Sequence, residues 1–74
     1  MESGDPFSMT PVASTNLDEV GFNPDTGQGR VSFQDGRLYE YDNCTQEEFE
    51  QIVFGGSQSF GALWKGIKPY RRIG

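Results

Sequence analysis

Between Leu17 and Asn23 polar and apolar residues alternate, with Val20 and Phe22 falling on one side of an extended chain. Period-two alternation of this kind predicts a half-buried β-strand. Asn23-Pro24-Asp25-Thr26-Gly27 closes it as a turn: proline presets its own φ, Asn and Asp bond their local backbone, and glycine permits positive φ. Two more strands are expected at about 29–34 and 37–42, joined through Asp35-Gly36. The loop length decides which side chains share a face. A two-residue loop would pair Phe33 with Leu38 and turn Tyr39 and Tyr41 away. A three-residue loop, with Gly36 left-handed at a bulge, pairs Phe33 with Arg37 and Val31 with Tyr39. That register gathers Val31, Phe33, Tyr39 and Tyr41 on one face, where a core can use them, and it is the one expected.

The periodicity then changes. Thr45 and Glu48 form a capping-box pair at a helix start. Glu47 and Glu48 also suit the positive end of the helix dipole. Phe49, Ile52 and Val53 share a helical face, and Gly55-Gly56 predicts a stop. A second short helix is expected at about 58–65 with Ser57 as its cap, because Phe60, Leu63, Trp64 and Ile67 recur at i, i+3, i+4 and i+7. Lys68-Pro69-Tyr70-Arg71-Arg72-Ile73 reads as irregular or extended. At the other end, 1–13 reads as an extended arm: Pro6 and Pro11 disfavour helix, while Phe7, Met9 and Val12 are sparse enough to be anchors on a strap. These three are the expected contacts with a protein partner or a neighbouring copy. The domain proper is expected to span 14–74.

At 74 residues there is room for one domain, burying roughly 60% of the surface it exposes when unfolded. Six Phe, three Tyr and one Trp compensate, since each ring can bury about 150–250 Å². The expected core draws on Val20, Phe22, Val31, Phe33, Leu38, Tyr41, Phe49, Ile52, Val53, Phe60, Leu63 and Trp64. The fold class is α+β: a small twisted antiparallel sheet of three to four strands with one or two short helices packed on it. With one cysteine and no histidine, neither an intrachain disulfide nor a structural zinc site is expected. The first thirty residues hold no apolar run, so neither a signal peptide nor a membrane span is expected. A cytoplasmic or virion setting fits.

Charge is divided unevenly. Through Glu50 there are eleven acids against Arg30 and Arg37, a balance of −9; beyond it Lys65, Lys68, Arg71 and Arg72 stand without an acid, +4. Catalytic chemistry is not expected, because histidine is lacking and no carboxylate pair is fixed by spacing. Cys44 precedes a helix start, where a thiol pKa can fall; without a histidine partner it is expected to be structural. No cofactor is implied. What remains is the interleaving of Tyr39 and Tyr41 with Lys65, Lys68, Tyr70, Arg71 and Arg72, a pattern that suits nucleic-acid contact through stacking and phosphate neutralisation. The plainer reading puts the tyrosine pair at the rim of the core and Trp64 at its centre.

Pro11-Val12-Ala13-Ser14-Thr15-Asn16-Leu17, Val20-Gly21-Phe22, Val31-Ser32-Phe33-Gln34-Asp35-Gly36 and Tyr39-Glu40-Tyr41 resemble the KTSC domain, as do Ser57 and the ending Tyr70-Arg71-Arg72-Ile73. That domain is named for a C-terminal extension of some lysyl-tRNA synthetases and also occurs as small free-standing proteins of bacteria and phages. The resemblance implies a compact α+β domain with no established catalytic residues, for which RNA binding is suggested by association with the synthetase. Two functions are expected, the first from the acidic body, the arm and the oppositely charged end, the second from the tyrosines and the C-terminal bases. The first is a non-catalytic assembly module, such as an accessory or decoration component of a phage particle. The second is an RNA-binding module.

Overall fold

The computed structural model describes residues 9–74. Five strands form one antiparallel sheet in sequential order: β1 (Thr10–Pro11), β2 (Leu17–Asn23), β3 (Gln28–Phe33), β4 (Leu38–Tyr41) and β5 (Tyr70–Arg72). A kinked helix, α1 (Gln46–Leu63), lies between β4 and β5 in the chain. This is the expected α+β architecture with one strand more than the upper count. The two unforeseen strands are the outer ones. β1 has two residues and includes a proline, and β5 has three exposed residues, so neither carries an alternating pattern.

The three-residue loop forms as predicted. Val31 pairs with Tyr39, the Phe33 N–H donates to the Arg37 carbonyl at 2.8 Å, and Gly36 holds φ +96°. One face of the sheet therefore carries Val31, Phe33, Tyr39 and Tyr41, and α1 packs on that face. In β2 the register slips between Leu17 and Glu19. This bulge turns Leu17 to the side of Val20, and both are fully buried. Strict alternation would place Leu17, three positions away, on the opposite face.

The helix start follows the capping box: the Glu48 N–H donates to Thr45 Oγ1 at 3.2 Å and the Thr45 N–H to Glu48 Oε1 at 3.1 Å. Gly56 interrupts the helical backbone at φ +67°, ψ −146°, a region open essentially to glycine alone. The two expected helices are thus two arms of one kinked element, with no loop between them. Ile52, Gly56 and Phe60 point into the core. The second arm ends at Leu63, and Trp64 serves as its C-cap. Ile67, expected on that helix's apolar face, is left outside the helix and exposed.

The core contains Val12, Leu17, Val20, Val31, Tyr41, Cys44, Ile52, Phe60 and Trp64. Over its described part, 9–13, Val12 corrects the reading of an arm. Thr10 and Pro11 pair with Val20 and Glu19, the Val12 N–H donates to the Asp18 carbonyl at 3.0 Å, and the Val12 side chain is buried in its own domain. A buried side chain cannot anchor a neighbour, so Val12 leaves the list of partner contacts, and among the described residues the sheet begins at Thr10. Met9 is half-buried, and Phe7 lies outside the described residues. No helix among the described residues is long and apolar enough to cross a membrane.

Candidate functional site

The sheet is wider than the helix that covers it. Where the second arm of α1 ends, β4 and β5 continue outward, and their register sets Tyr41 beside Tyr70 and Tyr39 beside Arg72. These four side chains leave on the helix face. The rings form a continuous series from the core to solvent. Tyr41 meets Trp64 at 5.8 Å and Phe60 at 5.5 Å, then Tyr70 at 5.6 Å with 29° between planes. Tyr70 meets Tyr39 at 5.7 Å, and Tyr39 meets Phe33 at 5.6 Å, edge-on. Trp64 is wholly buried, Tyr41 almost so, and Tyr70 is 59% exposed. Offset and edge-on contacts at these separations are the favoured arrangements of aromatic pairs. The outer rings are consequently held in place by the inner ones rather than left to swing freely.

Phe33, Tyr39, Tyr41 and Tyr70 line a hollow of about 310 Å³, rimmed by Arg37 and Lys65. A neighbouring hollow of about 560 Å³ runs toward Asn16 and Ser57 and shares Phe33, Arg37 and Lys65 with the first. Together they make one groove between the β3–β4 hairpin and the second arm of α1. Arg37 lies over the Phe33 ring at 5.1 Å and pairs with Asp35 at 2.7 Å. The Arg37 backbone N–H, followed by its guanidinium, holds the Asp35 carboxyl below its usual range. Lys65 is exposed and forms no ion pair among the described residues.

The seven residues expected to contact nucleic acid therefore separate. Tyr39, Tyr41, Lys65, Tyr70 and Arg72 share the groove face. Lys68 does not join them: its ammonium donates to the Asn43 carbonyl at 2.6 Å and pairs with Glu48 at 3.3 Å. Arg71 is on the opposite face of the sheet, where Glu40, itself buried, holds both Arg71 at 2.7 Å and Arg30 at 3.0 Å. Asp42 completes that network. A hydrogen bond from Gln28, and then Arg71, hold its carboxyl below the ordinary value. Phe33 and Arg37 are groove residues absent from the expected set, Phe33 having been assigned only to the core. The signal for them was the hairpin register itself, which brings Phe33 and Arg37 face to face beside Tyr39.

Other chemistry is sparse. Burial raises the Cys44 thiol to about 12, so it does not behave as a helix-activated nucleophile. Burial, followed by the neighbouring Tyr70 and Tyr39, raises Tyr41 to about 12. Among the described residues no group of His, Cys, Asp or Glu side chains converges as metal ligands would.

The fold and this groove can be set beside known proteins. A crystal structure of a KTSC domain protein from Yersinia pestis superposes with a TM-score of 0.78 at 25% identity, covering 92% of this chain and 99% of that one. No curated protein matches the sequence. The KTSC domain family matches residues 13–62, which takes in β2 to β4 and nearly all of α1. The chain belongs to the KTSC domain family.

Proposed function

We propose that this KTSC domain is a non-catalytic protein-interaction module that takes up a segment of a protein partner in the groove of Phe33, Tyr39 and Tyr70. One observation carries the reading: the half-exposed Tyr70 is held between the rings of Tyr41 and Tyr39, in a hollow rimmed by Lys65, which forms no ion pair among the described residues. Fixed aromatic side chains offer large contact area at small entropic cost, which is why such residues concentrate in binding surfaces. The rim bases favour a segment with acidic side chains among its apolar ones. Partner contact thus moves from the N-terminal arm to the groove. A place as an accessory or decoration component of a phage particle, in cytoplasm or virion, is supported only by the occurrence of such domains in phages.

RNA is the second reading, and the tyrosines on a sheet face favour it because bases stack on such platforms. Charge weighs against it. Affinity for nucleic acid grows with the phosphates neutralised, and Lys68 and Arg71 are already occupied by Glu48, Glu40 and Asp42. The chain as a whole carries −5.

The test is a comparison of two labelled probes at low salt, a short peptide alternating Glu with Phe and a poly-U strand. The peptide is expected to bind, and Lys65→Glu to weaken it by roughly fivefold to tenfold, the effect of about one lost ion pair. Poly-U is expected not to bind. Poly-U binding without peptide binding would transfer the groove to RNA; neither binding would remove the groove as an interaction site.

A further inference from the structure

Phe54 is the most exposed large apolar residue of the described chain, at 89%. It stands on the outer side of the first arm of α1, two residues before the reversal at Gly56. Glu50 is one turn before it and Glu47 nearly two, so both carboxylates are on its side of the helix. All three border one shallow surface hollow. Neither Glu47 nor Glu50 forms an ion pair among the described residues; Glu50 accepts only a hydrogen bond from Gln46, at 3.2 Å. The result is an apolar knob with two acids at its base.

The groove is the converse, an aromatic socket with bases at its rim. We propose that the protein docks on itself head to tail, Phe54 of one copy seating against Tyr39 and Tyr70 of the next, with Glu47 and Glu50 facing Lys65. The inference rests on the groove being a protein-binding site and supplies its occupant. Three observations favour a second copy over a foreign segment. Knob and socket are both on this chain, their charges are opposite, and they share no residue. Because the two patches differ, each copy can give one contact and receive another, which makes the association heterologous and open-ended. A single ring with a few rim charges is a small contact. Association is therefore expected to be weak, to rise with concentration and to fall with salt, as exposed charge pairs are screened.

Sedimentation velocity over a concentration series tests this. The unaltered chain should shift from monomer to a ladder of oligomers, and the shift should shrink in high salt. Phe54→Ser, which removes the knob, and Lys65→Glu, which reverses the socket's charge, should each remain monomeric. Both residues are exposed, so both variants should keep the circular dichroism of the unaltered protein. Mixed together, the two variants should form a 1:1 dimer and nothing larger, because the intact knob of Lys65→Glu seats in the intact socket of Phe54→Ser and leaves only an altered socket and an altered knob free. The Tyr70→Ala variant, mixed with Phe54→Ser, is a second socket-deficient case and should give the same dimer. An unaltered chain that stays monomeric at every concentration would overturn the proposal, as would Phe54→Ser assembling normally. If copies do not associate while the Glu-Phe peptide still binds, self-docking fails and the groove reading stands; if the peptide fails too, both fall.

Discussion

Trp64 meets three demands at once. Its indole fills the centre of the core, its ring lies directly over the Gly29 backbone, and its Nε1–H donates to Glu48 Oε1 at 3.3 Å. A Cβ at Gly29 would overlap that ring, so the glycine in β3 and the tryptophan after α1 are one packing unit. Trp64→Ala is expected to cost about 3–5 kcal/mol, comparable to the whole stability of a domain this small. Gly29→Ala should cost about 1–3 kcal/mol, because the indole must shift to make room. Chemical denaturation followed by circular dichroism checks both, and an unchanged midpoint for Trp64→Ala would place the indole outside the core. Trp64 was recognisable from helical spacing and size. Its partner Gly29 was not, since only the folded backbone brings the two together. Two titrating groups extend the test to pH. Cys44 rises from 9.0 to about 12 and Tyr41 from 10.0 to about 12. Both folded pKa values exceed the unfolded ones, so the unfolded state releases its protons first. The stability these groups contribute is fully present below pH 9 and should fall as pH rises from about 9 to about 12. A melting temperature that stays level across that window would show that neither group is shielded from water.

At the scale of elements, local chemistry was legible wherever it is self-contained. The capping box of Thr45 and Glu48, the turn after Asn23 and the three-residue loop at Gly36 all formed as their residues dictate. What escaped were features decided by neighbours. Leu17 joins the core through a bulge that alternation cannot announce. Thr10 and Pro11 form a strand only because β2 offers an open edge, and β5 only because β4 does. The Gly55-Gly56 pair predicts a stop, and the structure makes it a kink: Gly56 reverses the backbone while remaining buried against Ala13 and Ser14. This keeps Ile52 and Phe60 on one core despite the break. Gly56→Ala should therefore destabilise by about 1–3 kcal/mol, the strain of an L-residue in that region. For a chain of this length that is a drop of at least about 4 °C in melting temperature. An unchanged melting temperature would mean that the helix can straighten through the kink.

For the whole molecule, the uneven charge seen in the sequence resolves into two faces. On the back of the sheet, Glu40 and Asp42 of the acidic part hold Arg71 of the basic part, joining β4 to the distant β5. Much of the apparent basic patch is thereby structural. The groove face keeps Lys65 and Arg72 with the tyrosines, which is why five of the seven expected contact residues assemble and two do not. The sequence could not separate them, because the face of Arg71 depends on the pairing of β4 with β5 and the place of Lys68 on its contacts with Asn43 and Glu48. The most direct test of the groove is a map of amide chemical-shift changes on the isotope-labelled protein as the Glu-Phe peptide is added. The changes should centre on Phe33, Tyr39, Lys65 and Tyr70 and leave Arg30, Glu40 and Arg71 on the back face unmoved. Changes centred on the back face, or on none of these residues, would contradict the assignment of the groove as the binding surface.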